Sequence, residues 1–281
     1  MYRIAEKKVF NPQVKLMRIE APQIAKKVRP GQFIIFRVDE TGERIPLTVA
    51  DADPEKGLVT IIFQEVGKST MKLGALEAGD FISDFAGPLG VASHLDSFKR
   101  VAVIGGGLGC AIAYPQAKHL FAGGAEVDIV AGFRGKELVF FEEEMKACSS
   151  NFYAMSDDGT WGEKGLVTDK LNRLIDSGNK YDAVIAIGPL IMMKFVCLAT
   201  KPHGIKTIVS MNPIMVDGTG MCGACRVTVG GVTRFACVEG PDFDGHLVDF
   251  DEAMKRNGMY RDKEKQALDG HICHLREQIK N

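Results

Sequence analysis

Val101-Ala102-Val103-Ile104-Gly105-Gly106-Gly107-Leu108-Gly109-Cys110 decides how the middle of this chain folds. The apolar run reads as a buried strand, the glycines as a tight turn, and Cys110–Phe121 as the helix that follows. Such a turn lets backbone N–H groups approach a pyrophosphate at a helix N-terminus. The match to G-x-G-x-x-G is incomplete: Gly105 and Gly107 fit, and Cys110 stands in the third place. The next acidic residue, Asp128, falls inside the second strand instead of at its end. A tight strand–helix turn without any ligand is the alternative.

Working outward toward the C-terminus, Glu126–Ala131, Asn151–Ser156, Asp182–Ile187 and Lys206–Ser210 read as strands. Glu142–Ala147, Lys164–Asp176 and Ile191–Leu198 read as helices between them. This alternation predicts a doubly wound parallel α/β domain over 99–212. Two further loops fall at strand C-termini, where nucleotides bind in open sheets: Gly132-Phe133-Arg134 and Gly188-Pro189; Ser156-Asp157-Asp158-Gly159 follows the third strand and reads equally as a plain polar turn. Arg134 and Lys136 are placed to meet ribose or phosphate, or are solvated charges. Met192 and Met193 read as packing residues, and Glu142–Glu144 as a solvated helix N-terminus.

Toward the N-terminus, Val14–Ile19, Gln32–Val38, Ile45–Ala50 and Leu58–Gln64 are strand-like and punctuated by Gly and Pro. They predict a small antiparallel β-barrel over 1–98, with a short helix at Thr70–Leu76 entered from Gly67-Lys68-Ser69.

Residues 213–247 break the rhythm with Asp217-x4-Cys222-x2-Cys225-x11-Cys237. The spacing is that of plant-type [2Fe–2S] proteins, with Asp in the first place, and a carboxylate ligates iron as an anion, as a thiolate does. Gly218, Gly220 and Gly223 let backbone curl around a cluster. Zinc on the three cysteines with His246 as fourth ligand is the competing reading. Residues 248–281 read as a charged helical tail. His271, Cys273 and His274 are taken as part of a helix end.

Composition narrows the function classes. A net charge of −1 gives no footprint for nucleic acid or an anionic membrane, and no apolar run is long enough to span a bilayer. Seven cysteines, odd in number and mostly scattered, make a poor disulfide framework and suggest a reducing cytoplasm. The charged N-terminal segment lacks a signal-peptide h-region and is taken as mature protein.

The order barrel, nucleotide domain, cysteine module resembles the ferredoxin–NADP reductase-like flavoproteins over nearly the whole chain. The motifs are Pro30-Gly31-Gln32-Phe33, Arg44-Ile45-Pro46-Leu47-Thr48, Gly67-Lys68-Ser69-Thr70 and Gly87-Pro88-Leu89-Gly90. Gly105–Gly109, Gly132-Phe133-Arg134, Asp157–Gly162 and Gly188-Pro189 continue the series. Within these flavoproteins the chain is similar to the electron-transfer subunits of dihydroorotate dehydrogenase. It is more similar to the small subunits of electron-bifurcating NADH-dependent ferredoxin:NADP oxidoreductases, in which Asp is expected at position 217.

The resemblance implies FAD in the barrel, lined by Arg44, Pro46, Leu47 and Thr48, with its pyrophosphate at Gly67, Ser69 and Thr70. It implies NAD(H) at Gly105, Gly106, Gly107, Gly109, Arg134, Asp157, Asp158, Gly188 and Pro189. A [2Fe–2S] cluster on Asp217, Cys222, Cys225 and Cys237 would pass electrons to a larger subunit carrying flavin and [4Fe–4S] clusters, and through it to ferredoxin. No side-chain acid or base is required.

Departures from the family pattern are informative. The reductase pattern Arg-x-aromatic-Ser becomes Arg44-Ile45-Pro46-Leu47-Thr48, so Arg44 sits one place early. The Cys common before the late Gly-Pro is Ile187 here. Dihydroorotate dehydrogenase electron-transfer subunits carry Cys where this chain has Asp217. The rivals are therefore the electron-transfer subunit of dihydroorotate dehydrogenase and, from another class, a zinc-stapled nucleotide-binding protein without redox activity.

Overall fold

The computed structural model describes residues 1–280, with side chains described through residue 271; Cys273 and His274 lie outside the described side chains. Seven strands build the first layer: β1 (Tyr2–Val9), β2 (Val14–Glu20), β3 (Phe33–Arg37), β4 (Ile45–Asp53), β5 (Leu58–Gln64), β6 (Phe81–Ile82) and β7 (Asp84–Leu89). They form a nearly closed antiparallel barrel in the order β6-β1-β2-β5-β4-β3-β7. Helices α1 (Pro22–Ala25) and α2 (Lys68–Gly74) add Ile24, Ala25 and Leu73 to its core. The period-2 pattern of β2 sends Met17 and Ile19 inward to Ile34, Phe36, Ile61 and Phe63. Val14 and Leu16 point the other way, into the core of the next layer. Each such buried side chain contributes about 1.5–3 kcal/mol as an upper bound.

The second sheet contains β8 (Arg100–Gly106), β9 (Glu126–Phe133), β10 (Asn151–Ser156), β11 (Glu163–Lys164), β12 (Ala183–Ile187) and β13 (Lys206–Ser210), all parallel. Its helices are α3 (Gly109–Ala122), α4 (Glu142–Lys146), α5 (Val167–Asp176) and α6 (Leu190–Thr200). The order β11-β10-β9-β8-β12-β13 winds outward from β8 and then restarts on its other side. The switch point of the sheet therefore lies between β8 and β12, where ligand crevices open. The strands are covered on both faces, by Ala113, Ala117 and Leu120 of α3 on one side and by Leu171 of α5 and Val196 of α6 on the other. That is why every residue of β12 is buried and why the sequence runs there are continuously apolar.

The cysteine-bearing segment folds as a hairpin, β14 (Arg226–Val229) and β15 (Val232–Phe235), followed by a helical turn α7 (Ala236–Glu239). Its last strand, β16 (Asp242–Asp244), joins the second sheet antiparallel to β13. Gly240 also accepts a backbone hydrogen bond from Val91 at 2.7 Å, tying the segment to the chain after the barrel. Helices α8 (Phe250–Asn257) and α9 (Arg261–Lys280) complete the chain, and α9 packs beside α2. Aromatic rings lock barrel to sheet: Phe10, at the β1–β2 turn, stacks on Phe140 at 5.6 Å and meets Phe141 edge-on at 5.9 Å.

Candidate functional site

The glycine-rich turn sits at the switch point. Gly105 and Gly106 end β8, Gly107 turns through a φ of 55°, and Gly109 opens α3. A side chain on Gly109 would strike the Ile187 carbonyl, and one on Gly106 would meet Met192 Sδ at 2.5 Å and Pro189 Cδ at 3.2 Å. These glycines let the turn after β8 lie directly against Gly188-Pro189 after β12. Gly109 thus supplies the close helix–strand approach that the third glycine of the fingerprint normally supplies, which leaves the place of Cys110 free for a side chain. The Cys110 thiol is buried, and burial pushes it up to about 12, so it is inert.

The loops after β9 and β10 are zipped together. Asp157 N–H donates to Phe133 O at 3.1 Å, Asp158 N–H to Arg134 O at 3.2 Å, and Lys136 N–H to Thr160 Oγ1 at 2.9 Å. Arg134 and Asp157 are exposed on this pair of loops. Asp158 builds the turn: it accepts from the Thr160 N–H and hydroxyl at 2.9 and 2.7 Å, and these bonds hold its carboxyl below the ordinary range. Asp128 takes no part here. It is buried, accepting from the Tyr181 hydroxyl at 2.6 Å and from Asn151 Nδ2 at 2.7 Å. It is a structural acid, as its place inside the strand predicts.

On the barrel, Pro46, Leu47 and Thr48 lie on β4 opposite Ile35, Ile34 and Phe33 and are half-buried, a surface a flat ring system can cover. Gly67 precedes α2 in extended conformation. Thr70 Oγ1 accepts from the N–H groups of Val66 and Gly67, each at 3.1 Å, so Thr70 shapes the loop. The Ser69 hydroxyl donates to the Glu43 carboxylate. Arg44, just before β4, donates through Nε to the Val216 carbonyl at 2.9 Å.

In the cysteine loop, Cys225 and Cys237 are buried with sulfurs 3.2 Å apart, and Cys222 is exposed. Two thiolates on one tetrahedral metal stand about 3.7 Å apart, given metal–sulfur bonds of ~2.3 Å, so this pair is close to ligand spacing. Burial, and then the neighbouring Cys225, push the Cys237 thiol up to about 12. Asp217 accepts from Thr219 N–H at 2.9 Å, Cys222 N–H at 2.8 Å and Met221 N–H at 3.1 Å. The Thr219 bond, followed by those from Cys222 and Met221, holds the Asp217 carboxyl below its ordinary value, so it is an anion at neutral pH. Gly218, Gly220 and Gly223 all have positive φ, as the curl of the loop requires. Among the described residues no three His, Cys, Asp or Glu side chains converge on one metal position. His246 lies elsewhere, with Nε2 3.0 Å from Thr200 Oγ1 on α6, so a zinc site completed by His246 is not formed.

Residues 212–249 match the model of the iron-sulfur cluster binding domain of dihydroorotate dehydrogenase B. The chain is 52% identical over 275 residues to an uncharacterized protein of the adh 3' region in Clostridium beijerinckii, covering 95% of this chain and 93% of that protein. It is 48% identical to a dihydroorotate dehydrogenase B (NAD(+)) electron transfer subunit homolog of Thermotoga maritima, covering 88% of this chain and 87% of that one. The chain belongs to the family of dihydroorotate dehydrogenase B electron-transfer subunits and their homologues. A chain from the structure of NADH-dependent reduced ferredoxin-NADP oxidoreductase, solved for insight into flavin-based electron bifurcation, superposes with a TM-score of 0.92. It shares 44% identity and covers 97% of this chain and 98% of its own.

The loop of this electron-transfer subunit fits a two-iron cluster better than a single ion. One iron would take the Cys225–Cys237 pair, and the second would take the outer pair, Cys222 and the ionised Asp217. A two-iron cluster takes its ligands in two pairs, one pair to each iron. Two features of the electron-transfer subunit were beyond the reach of sequence reasoning. One is the Arg44–Val216 bond. The other is the part-buried set Ser93, Gln116 and Asp242, whose members lie up to 149 residues apart with no motif to join them.

Proposed function

We propose that this chain is the hydride-accepting, electron-transferring small subunit of a bifurcating NADH-dependent ferredoxin:NADP oxidoreductase. It exchanges hydride between NAD(H) and FAD and sends single electrons through a [2Fe–2S] cluster to a larger partner subunit. The observation that carries this reading is the placement of the cysteine loop. Met215, Cys225 and Cys237 share one apolar core with Phe33 and Ile35 of the barrel and with the strands of the nucleotide sheet. A cluster held there lies against both other layers.

Flavin is the adapter between two-electron and one-electron chemistry. The chain supplies positioning. Pro46, Leu47 and Thr48 line the flavin, and the Gly67–Thr70 loop takes its pyrophosphate at the start of α2. Gly105, Gly106, Gly107 and Gly109, with Gly188 and Pro189, present bare backbone to the nucleotide, while Arg134, Asp157 and Asp158 flank its ribose end. Asp217, Cys222, Cys225 and Cys237 hold the cluster. The Cys237 thiol, pushed up to about 12, would release its proton on binding the cluster, and the Asp217 carboxyl, held below its ordinary value, needs no deprotonation. The division of labour follows 1–98, 99–212, 213–247 and the 248–281 tail. The partner is a subunit with a second flavin and [4Fe–4S] clusters, through which ferredoxin is reached. A cytoplasmic setting agrees with the free thiols among the described residues.

Purification of the native complex with cofactor analysis tests this. Flavin bands, a reducible iron–sulfur absorption and a flavin- and [4Fe–4S]-bearing partner are expected. A colourless zinc protein contradicts the reading. The match of residues 212–249 favours a second assignment, the electron-transfer subunit of a dihydroorotate dehydrogenase, and a dihydroorotate-oxidising partner would decide for it.

A further inference from the structure

Arg44 stands just before β4, one place early for the flavin-contacting pattern, and its Nε reaches the Val216 carbonyl at 2.9 Å. Val216 is the residue before Asp217. Immediately beyond Asp217, Gly218 adopts a φ of 77°, and a side chain there would meet Ile35 Cδ1 at 2.6 Å and Leu89 Cδ1 at 2.8 Å. The loop backbone therefore lies directly on β3 and β7 of the barrel. Asp217 is bracketed by two barrel anchors, a charged hydrogen bond on one side and a close backbone approach on the other. Asp217 in turn ties the loop by accepting from the N–H groups of Thr219, Met221 and Cys222.

Resting on the reading above, we infer that Arg44 is a positioning residue that fixes the Asp217–Cys222 loop on the flavin barrel. It thereby sets the rate at which electrons pass from flavin to cluster. The step it governs moves one electron, lost by the reduced flavin and gained by the oxidised cluster, with no bond made or broken. A guanidinium suits this task because it is always charged and presents a rigid fork, whereas a lysine ammonium offers a point charge on a flexible stem.

The test uses the holoprotein with Arg44→Gln and Arg44→Lys. Stopped-flow mixing with NADH follows flavin reduction and cluster reduction separately by absorbance and freeze-quenched electron paramagnetic resonance. In Arg44→Gln the rate of cluster reduction, divided by that of flavin reduction, is expected to fall at least tenfold, with partial recovery in Arg44→Lys. Amides of residues 217–222 in Arg44→Gln are expected to exchange hydrogen at least tenfold faster. An unchanged ratio with unchanged exchange overturns the inference. Equal slowing of both steps, or loss of FAD with the ratio intact, also overturns it and makes Arg44 a flavin ligand. A wild-type protein lacking flavin or cluster refutes the functional reading instead, and the exchange measurement then decides the anchoring by itself.

Discussion

The Asp242 carboxylate accepts from Gln116 Nε2 at 2.9 Å on the same oxygen that the Ser93 hydroxyl meets at 2.5 Å. Ser93 follows the barrel, Gln116 belongs to α3 and Asp242 to β16, so one buried carboxyl joins three parts of the chain. Asp242 Oδ1 and Gln116 Oε1 are buried without hydrogen-bond partners among the described residues. Burial raises the Asp242 carboxyl above its ordinary value, against the opposing bonds from Ser93, Ser210 and Gln116.

The sign of the resulting pH dependence follows. Between the ordinary carboxylate value, about 3.9, and the raised folded value, the folded chain binds more protons than the unfolded one. Stability is therefore lost as pH rises through that window. Asp242→Asn removes this dependence, so its melting temperature relative to wild type should climb from pH 4 to pH 8. A wild type that gains on the variant over the same range would contradict the buried-acid account.

Gly109→Ala should destabilise the fold by about 1–3 kcal/mol, because its methyl group is forced against the Ile187 carbonyl where helix meets strand. Thermal unfolding measures the loss. NADH affinity should drop with it, since the same turn forms the switch-point crevice.

Tyr181→Phe should cost about 1–3 kcal/mol, because buried Asp128 loses the donor that stands 2.6 Å away. Its NADH affinity should match wild type within experimental error. A selective loss of nucleotide binding with unchanged stability would contradict the structural role of Asp128.

Asp217→Ala should lose most of its iron while retaining FAD, by iron assay, flavin absorbance and electron paramagnetic resonance. Unchanged cluster content would remove Asp217 from the ligand set.

The α/β half was the most legible part of the chain. Strands covered on both faces, such as Ala183–Ile187, leave continuous apolar runs between glycine turns, and the predicted elements fall within a few residues of those found. The exception is the start of α5, where Glu163–Lys164 forms the edge strand β11 and the helix begins at Val167. The barrel was half legible. Val14–Glu20 and Leu58–Gln64 bury enough side chains to stand out. In β1 only Ile4 is buried, so Tyr2–Val9 reads as charged and irregular. The two-residue strand β6 carries too few residues for any period. The iron–sulfur segment was legible as a unit from its cysteine spacing, and the family match over 212–249 falls on it. Arg44 and Asp242 were not, because their partners are set by tertiary contact across 172 and 126 residues.

The most direct test is flavin and metal analysis of the purified wild-type chain, read with its visible spectrum and the paramagnetic resonance of the dithionite-reduced protein. The account predicts FAD and about two irons per chain, with the rhombic signal of a reduced [2Fe–2S] cluster. A flavin-free protein, or one with zinc bound to Cys222, Cys225 and Cys237, would contradict it.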